Sequence, residues 1–497
     1  MSQPTAAADG APRASPPAPS DLGIRAARGG GALLFRHGAA LFLNAIGALL
    51  LGRWLGPESM GLYYAAATLL VIGRQVVAFS TPTVMVRAGR DGPWDDRSAW
   101  LQRGLAGMLV AGTLLAVALG AATAYAPARA SEYALLLVAA AVGAATYAFQ
   151  AVPVARLERR LEFGRIGAIE VLDPLVFNLV AIALVYAGGS IRTLAVPLVL
   201  RGAIPALVAH RTMRGHRPAL PSRREIAALL REVGPLVGAQ AVLWVILMAP
   251  PILIGKLAGP AEFGYAYQAA ALLGSVGIPA AIFQRVAFAG LVQIESDRLR
   301  FARAVRRAVS LLASLSLPLL SAIAGFSPWW VTRACGPEWQ PLERLLLVAT
   351  LPVALSGLVG VVYAAMLAEG RNRLVFEQNL LHAGLYWTSM AALARPLGAL
   401  AAPLAHLLAM PAAVLYLRAF ARAHAPLRAY GAVAGVVGSA VLAGVTWELT
   451  ASGRLMWAVL VWCVAHAAVL PIVWRRLGLR ELLRRVLKGD GVAVSGV

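Results

Sequence analysis

Residues 52–70 read GRWLGPESMGLYYAAATLL, and residues 255–273 read GKLAGPAEFGYAYQAAALL. Shifting the first stretch by 203 positions brings nine of its nineteen residues into identity without a gap. The shared Gly-Pro pair ends one helix and turns the chain into the next. The repeated turn consists of Gly56, Pro57 and Gly61 in the first copy and of Gly259, Pro260 and Gly264 in the second. The chain thus carries one turn twice, and this repetition decides the fold.

The composition indicates a membrane protein. Hydrophobic residues make up 59% of the 497 residues and charged residues 14%, whereas soluble domains carry about 25% charged residues. Apolar runs long enough to cross a hydrocarbon core of about 30 Å recur along the chain. The runs are continuous and rich in Ala, Leu and Val, so they favour helices over the alternating strands of a membrane barrel. We therefore expect an all-α integral membrane protein.

The apolar runs predict fourteen spans, at 34–54, 60–86, 104–126, 133–154, 166–187, 191–210, 235–256, 262–283, 307–330, 341–367, 374–394, 397–419, 429–448 and 455–474. Of the 45 Lys and Arg residues, 35 then fall in the tails and in the loops after even-numbered spans, and 8 fall in the loops after odd-numbered spans. The positive-inside rule places both termini in the cytoplasm. A miscounted span would invert this pattern for the rest of the chain.

The repeated turn joins spans 1 and 2 and also spans 7 and 8, so spans 1–6 and 7–12 are predicted to be two copies of one unit. Because six is even, both copies cross the membrane in the same direction, which is a parallel repeat. We expect two six-helix lobes around a central cleft, as in an alternating-access transporter; a purely structural duplication is the alternative. The predicted segments are a disordered cytoplasmic tail (1–33), an N-lobe (34–210), an amphipathic cytoplasmic linker (211–234), a C-lobe (235–421), spans 13 and 14 (422–475) and a basic cytoplasmic tail (476–497).

Several function classes are disfavoured. The net charge of +22 follows the loops and forms no aromatic-interleaved patch, so it favours membrane topology over nucleic-acid binding. The loops predicted outside are short, which leaves no room for a soluble-type active site. The sequence contains no phosphate-binding glycine loop with a lysine and a hydroxyl residue, no H-E-x-x-H motif and no Cys/His metal cluster. We therefore predict no catalytic residue, no metal and no cofactor.

A charged side chain within a span is costly and is by default a functional candidate. Arg74 lies in span 2, where phosphate contact and a structural ion pair are both open interpretations. For Arg201, in span 6 between two prolines, a structural role or a boundary error is favoured. Arg36 and Arg285 lie near the cytoplasmic ends of spans 1 and 8, where extension of the side chain to the interface is the simpler interpretation.

The remaining polar residues of the spans have simpler interpretations. Carboxylates are expected to be absent from the middle of every span, with Asp173 at the cytoplasmic start of span 5 in a local ion pair with Arg165. His382, His406 and His466 lie in spans 11, 12 and 14, where helix packing is the default and a proton relay is the alternative. Amides within spans often bind neighbouring helices.

Five stretches resemble the oligosaccharide flippases of polysaccharide biosynthesis (the O-antigen flippase-like family), within the multidrug/oligosaccharidyl-lipid/polysaccharide exporter superfamily. They are LGPESMGLYYAAATLL, ARLERRLEFGRIGAIEVLDP, AGPAEFGYAYQAAALL, ACGPEWQPLERLLLVATLP and AAMLAEGRNRLVFEQ. The resemblance extends over about residues 34–480. It implies a bundle of twelve to fourteen helices that moves a polyprenyl-pyrophosphate-linked oligosaccharide from the inner to the outer leaflet of the bacterial cytoplasmic membrane.

In the resembled family spans 1, 2, 7 and 8 line the cleft, which makes Asn44 and Gln240 the preferred amide candidates beside the arginines. The implied partners are the lipid-linked oligosaccharide and membrane lipids, with a polysaccharide polymerase and glycosyltransferases as possible neighbours, and we expect a monomer that is not an enzyme. Two alternatives stay open. A multidrug/cation antiporter would place an acid inside a lobe, and a membrane glycosyltransferase or polymerase would need a catalytic group on a large outer loop.

Overall fold

The computed structural model describes residues 19–80, 94–120, 127–159, 162–211, 222–276, 291, 297–424 and 430–477. For 19–42, 94–97, 159, 163, 223, 225, 228–229, 232–236, 239, 275–276, 430 and 469–477 it describes the backbone alone. Every regular element in these ranges is a helix. The predicted all-α membrane architecture is confirmed. The helices are α1 (Pro19–Ala78), α2 (Trp94–Ala118), α3 (Ala130–Ala145), α4 (Ala151–Arg159), α5 (Phe163–Tyr186), α6 (Ala195–Arg211), α7 (Arg223–Leu257), α8 (Pro260–Val276), α9 (Arg298–Gly325), α10 (Ser327–Cys335), α11 (Gln340–Ala368), α12 (Asn372–Leu397), α13 (Ala401–Ala409), α14 (Val414–His424), α15 (Tyr430–Ala451) and α16 (Leu455–Leu477).

The described helices accommodate all fourteen predicted spans. Ten segments are long and apolar enough to cross a membrane. Two of them, Leu43–Ala78 with 36 residues and Asn372–His424 with 53 residues, each contain two spans. At 1.5 Å per residue they would extend about 54 Å and about 80 Å, far beyond a core of about 30 Å. The 17-residue α8 and the shorter apolar stretch Leu455–Ala468 in α16 supply the last two spans.

Both copies of the repeated turn are built in the same way. Gly56 interrupts α1 with a φ of 73°, and Gly259, between α7 and α8, has a φ of 106°. Glycine adopts this left-handed backbone without the steric cost that a Cβ atom imposes. Pro57 and Pro260 follow at the first position of the next helix, where the missing N–H is not needed. The helix before each turn is span 1 or 7, and the helix after it is span 2 or 8.

The loops after odd-numbered spans meet at one end of the bundle. Arg129, before α3, donates to Ser59 at 3.0 Å and to Glu132 at 2.5 Å. Arg192, before α6, lies 3.5 Å from the second oxygen of the same Glu132 carboxylate. The loops after spans 1, 3 and 5 are therefore neighbours, as an unbroken alternation of span direction requires.

Each six-helix lobe has its own helix packing, and the C-lobe also carries the two C-terminal spans. In the N-lobe, α1 packs against α3 and α5, and α5 packs against α6. In the C-lobe, α12 packs against α7 and α13, and α9 packs against α11. Spans 13 and 14 (α15 and α16) lie against α9. The Ser439 hydroxyl donates to the Leu317 carbonyl at 2.9 Å, and the Trp462 indole donates to Ser321 at 3.1 Å. The C-terminal pair is thus attached to the C-lobe.

Two segment boundaries differ from the sequence predictions. The first helix begins at Pro19, inside the predicted tail, and residues 1–18 lie outside the described residues. Five of the ten residues at 24–33 are Ala or Arg, which are good helix formers, whereas the three glycines at 29–31 are not. Within the predicted linker, residues 212–221 lie outside the described residues, and from Arg223 the chain is helical and continues without a break into span 7 as α7.

Candidate functional site

Spans 2 and 8 make a reciprocal contact at the repeated turn. A Cβ atom on Gly61 would overlap the carbonyl oxygen of Pro260, and a Cβ atom on Gly264 would overlap that of Pro57. The two contacts are equivalent, because Pro260 and Gly264 in the second repeat correspond to Pro57 and Gly61 in the first, at an offset of 203 positions. The two lobes are therefore related by a pseudo-twofold axis at this contact, and glycine is required because backbone meets backbone.

Aromatic residues continue the contact along the same axis. Tyr64 stacks on Tyr267, its counterpart in the repeat, with ring centroids 4.2 Å apart and an interplanar angle of 17°. The Tyr64 hydroxyl also donates a hydrogen bond to the Gln268 side-chain oxygen. Tyr64 and Gln268 are buried, and Tyr267 is partly buried against the core that the two lobes share. The stack holds the N-terminal ends of spans 2 and 8 together.

The loop between spans 9 and 10 closes the same end of the interface. The buried Trp339 indole donates to the Gly52 carbonyl at 3.0 Å. Arg53 donates to the Arg333 carbonyl at 2.7 Å, and Tyr265 donates to the Glu338 carbonyl at 2.8 Å. In this conformation the end of the bundle that carries the loops after odd-numbered spans is closed by direct contacts.

Span 2 touches span 7 at its opposite end. The Gln75 side-chain oxygen accepts hydrogen bonds from Gln240, at 2.7 Å, and from the Trp244 indole. Gln240 therefore lies between the lobes, where the resemblance led us to expect it. Its partner is a second amide, that of Gln75. Together with the contact at the repeated turn, this hydrogen bond joins both ends of span 2 to the C-lobe.

A partly buried cluster of three charged groups lies within the N-lobe. The Asp173 carboxylate, on α5, accepts from Arg201 on α6 at 2.7 Å and pairs through its other oxygen with Arg74 on span 2. The Arg201 guanidinium lies 4.8 Å from the centroid of the Phe177 ring, which stacks on Tyr63 beside the lobe contact. Two guanidinium groups share one carboxylate, so the cluster has an excess of one positive charge.

The cluster retains capacity to bind a further anion. The side chains of Arg74, Asp173 and Arg201 are 19%, 16% and 18% exposed, so they are not sealed from their surroundings. The Arg74 Nε atom is buried without a hydrogen-bond partner. An unpaired donor on a buried cation is costly unless a ligand satisfies it. A planar guanidinium is also well suited to bidentate contact with phosphate oxygens.

The expectation that the span interiors lack carboxylates is wrong. Asp173 lies well inside α5, and Arg165 pairs instead with Glu162 at 2.7 Å, near the start of that helix. The sequence interpretation paired neighbours along the chain. The actual partners of Asp173 are 99 and 28 residues away, on other helices, and no local spacing reveals them.

The other site candidates have different positions. The Asn44 side-chain oxygen accepts from Asn178 at 3.0 Å, which joins spans 1 and 5 within the N-lobe. The side chain of Arg36 and the whole of Arg285 lie outside the described residues. The structure thus brings together Arg74 and Arg201, and it places Asn44 and Gln240 in contacts of their own.

A second repeat in the sequence shows which C-lobe residues correspond to the charged cluster of the N-lobe. Residues 194–208 and 400–414 share eight of fifteen positions at an offset of 206, including the prolines at 197/403 and 205/411. The same offset aligns the Gly-Arg pair at 164–165, in the first turn of α5, with the pair at 370–371, just before α12. It places Asn379 opposite Asp173 and Leu407 opposite Arg201. The acid and one arginine of the N-lobe cluster thus have uncharged counterparts in the C-lobe.

The chain matches the family described as "Polysaccharide biosynthesis protein" over residues 50–344. It belongs to this family. The match covers more than half of the chain and includes both copies of the repeated turn, all of the charged cluster and Trp339. The family resemblance stated from the sequence is confirmed. Among curated proteins, none matches the chain.

Two solved structures share the fold. The lipid II flippase MurJ in an inward closed conformation superposes with a TM-score of 0.72 at 12% identity, covering 90% of this chain and 99% of the other. A multidrug resistance MATE family transporter of the MOP superfamily, in an inward-facing conformation, gives a TM-score of 0.59 at 15% identity, covering 82% and 96%. This protein therefore has the fold of multi-pass membrane transporters and flippases.

Proposed function

We propose that the protein is a flippase for a lipid-linked oligosaccharide, moving a polyprenyl-pyrophosphate-linked glycan from the cytoplasmic to the outer leaflet of the bacterial inner membrane. The observation that carries the proposal is the Arg74–Asp173–Arg201 cluster, with its surplus positive charge and its unpaired Arg74 Nε donor. A pyrophosphate is the anionic part of such a cargo, and its attraction to a buried cation is several times stronger than in water. Membership of the polysaccharide biosynthesis family supports this choice of substrate class.

Alternating access is the proposed mechanism. The N-lobe (34–210) and the C-lobe (235–421) rock about the pseudo-twofold axis, with 211–234 linking them, while the prenyl chain stays in lipid. The Gly61–Gly264 contact closes the outer end, and the Gln75–Gln240 contact closes the inner end. Each end opens in turn, and a bound pyrophosphate favours the state in which the cluster is exposed to the cleft. Spans 13 and 14 (422–475) travel with the C-lobe.

Flipping by full-length protein in liposomes tests the role of the cluster, and charge-matched variants separate its net charge from its geometry. Arg74→Gln reduces the surplus charge to zero, whereas the double variant Arg74→Gln/Asp173→Asn restores it through Arg201. We expect at least about a tenfold loss for the single variant, because one unit of buried charge is worth more than about 1.4 kcal/mol. We expect partial recovery in the double variant and no change for Arg192→Gln, an exposed outer ion-pair residue. Full activity of a folded Arg74→Gln protein would refute the assignment.

A cation antiporter is the competing proposal, and the buried Asp173 is the observation that favours it. A cation-binding acid must be free to bind the cation, but this carboxylate already accepts from two guanidinium groups. Uptake of a cationic dye, measured beside flipping in the same liposomes, separates the two. Dye transport that Asp173→Asn abolishes, without flipping of lipid-linked sugar, would replace our proposal.

The proposal also covers the orientation of the protein in the membrane, its oligomeric state and its neighbouring proteins. We place both termini in the cytoplasm, the loops with few Lys and Arg outside, and the protein as a monomer among membrane lipids. A polysaccharide polymerase and glycosyltransferases, which use and make the cargo, are the proposed neighbours, and no nucleic acid or enzymatic activity is proposed. Protease or cysteine-reagent mapping of the tails in spheroplasts tests the orientation: labelling of either terminus from outside contradicts it.

A further inference from the structure

Two histidines of the C-lobe form a compact cluster that the proposed transport mechanism does not use. His382, on α12, and His406, on α13, have ring centroids 5.1 Å apart in an edge-to-face arrangement. Tyr386 stacks on His382 at 6.1 Å and contacts His406 edge-on at 5.8 Å. The Ser356 hydroxyl, on α11, lies 2.6 Å from the His406 Nε2 atom. Side chains from spans 10, 11 and 12 thus converge on two imidazoles.

The hydrogen bonds of Ser356 suit either protonation state of His406. The hydroxyl has one proton, and it lies 2.6 Å from the Pro352 carbonyl oxygen as well as 2.6 Å from His406 Nε2. When Nε2 is unprotonated, the hydroxyl donates to the ring. When both ring nitrogens carry protons, Nε2 donates to the hydroxyl, which turns its proton to the Pro352 carbonyl. The imidazolium form therefore keeps all its hydrogen bonds at this side.

No fixed charge holds the pair in one state within the described part of the chain. Tyr386 of α12 is the other titratable group in contact with the rings, and α11 contributes the neutral Ser356. α7 also packs against α12, and there the Val245 carbonyl, a neutral group, accepts a hydrogen bond from Trp387. Three charged groups at the ends of α11, α12 and α14 pair with one another. Glu369, after α11, pairs with Arg371 before α12 and with His424 at the end of α14. Two imidazolium charges this close would repel each other, so the pair can hold at most one proton at a time.

The pseudo-symmetry gives this pair its significance. The offset of 206 that relates α6 to α13 places His406 opposite Leu200, next to the position of Arg201. The corner between spans 11 and 12 therefore carries a titratable pair where the corner between spans 5 and 6 carries permanent charge. We propose that His382 and His406 form a proton-binding site of the C-lobe, and that inward proton flow through it drives outward movement of the cargo. The coupling rests on the proposed flippase function; the proton site does not.

The test of the site needs no cargo. Full-length protein with ¹³C-labelled histidine is titrated in lipid nanodiscs, and signals are assigned by loss in His382→Gln and His406→Gln. The glutamine amide at position 406 can still bond Ser356 but cannot take up a proton. We expect the two signals to shift together with the uptake of one proton, and Ser356→Ala to change that midpoint. His466, stacked on Trp462 in span 14, is the control and should titrate independently. Independent titration of His382 and His406, or no titration of either, would overturn the site.

The coupling is tested by flipping in proteoliposomes with and without an imposed pH gradient. With an outer side one pH unit more acidic, one proton per cycle supplies about 1.4 kcal/mol, so we expect flipping to accelerate by up to about tenfold in the wild-type and His466→Gln proteins. The acceleration should be absent in His406→Gln, with flipping at equal pH retained. Equal acceleration in His406→Gln would overturn the coupling. If the wild-type protein flips no lipid-linked sugar, the function proposed above fails, while the histidine titration still decides the proton site.

Discussion

Replacing Gly264 by alanine should force the closed end of the interface apart. The new Cβ atom would overlap the Pro57 carbonyl oxygen and lie 3.2 Å from the Gly61 nitrogen. Both neighbours are backbone atoms at the start of span 2, so they cannot move aside by changing rotamer. Carbon contacts favour separations of about 3.5–4.0 Å, so the two helices must separate by about 1 Å or more.

The magnitude follows from the contacts that such a separation breaks. The stack of Tyr64 on Tyr267 contributes about 0.5–1.5 kcal/mol, and the Tyr64–Gln268 hydrogen bond contributes about 0.5–1.5 kcal/mol. Both stabilise the state in which this end is closed. Their loss costs that state about 1–3 kcal/mol, which changes its population relative to the open state by about 5- to 150-fold.

Spin-label distances measure this shift. Labels at Glu58 and Gln340, which are exposed at the closed end on the N-lobe and the C-lobe, report its opening. Gly274→Ala is the matched control, because Gly274 lies on the same helix and a Cβ atom added there would meet no other atom within 4 Å. Gly264→Ala should populate longer distances and Gly274→Ala should not. If both variants give the wild-type distance distribution, the close approach does not hold the lobes together.

Three further outcomes are expected. Asp173→Asn leaves two buried guanidinium groups without their carboxylate and should lower the free energy of unfolding by about 3–5 kcal/mol, measured by thermal or denaturant unfolding in detergent. Trp339→Ala should lower the free energy of unfolding by about 3–5 kcal/mol, because the ring is fully buried and donates to the Gly52 carbonyl before the first turn. Trp329→Ala, at a ring that is 45% exposed, should lower it far less in the same assay. Burial raises the pKa of the Cys335 thiol to about 11, so one lipid-permeable maleimide used at pH 7 should label Cys335 far more slowly than the exposed Cys463; equal labelling rates contradict the burial.

The architecture could be predicted because its determinants are local or periodic. Apolar runs and the distribution of Lys and Arg set the number of spans, and the identical Gly-Pro turns at an offset of 203 identified the two lobes. The turn glycines carry a backbone requirement that is visible in the sequence itself. What the sequence alone did not reveal is that Gly61 and Gly264 face each other, since equivalence of two segments does not specify that they touch.

The site was predicted in part. Arg74 stood out as a charge within a span, and the open alternative of a structural ion pair is present, because Asp173 lies beside it. The acid was misplaced because sequence neighbours such as Arg165 offered a plausible partner, and helix packing decides such pairs. The burial of Trp339 likewise depends on packing between helices distant in sequence, because the loop between spans 9 and 10 folds over span 1 and buries the ring. The second repeat, at 194–208 and 400–414, was readable in the sequence and would have drawn attention to this corner.

The stack of Tyr64 on Tyr267 has a consequence for the origin of the molecule. An interface in which every contact between two residues is repeated between their equivalents is isologous, and a residue on the axis meets its own equivalent, as Tyr64 meets Tyr267. This is the arrangement of a symmetric homodimer. The Gly61–Pro260 and Gly264–Pro57 contacts obey the same exchange. A six-helix ancestor bearing this face would have paired with itself about an axis along the membrane normal. Joining two such chains end to end preserved that dimer inside one polypeptide and freed each half to acquire different chemistry.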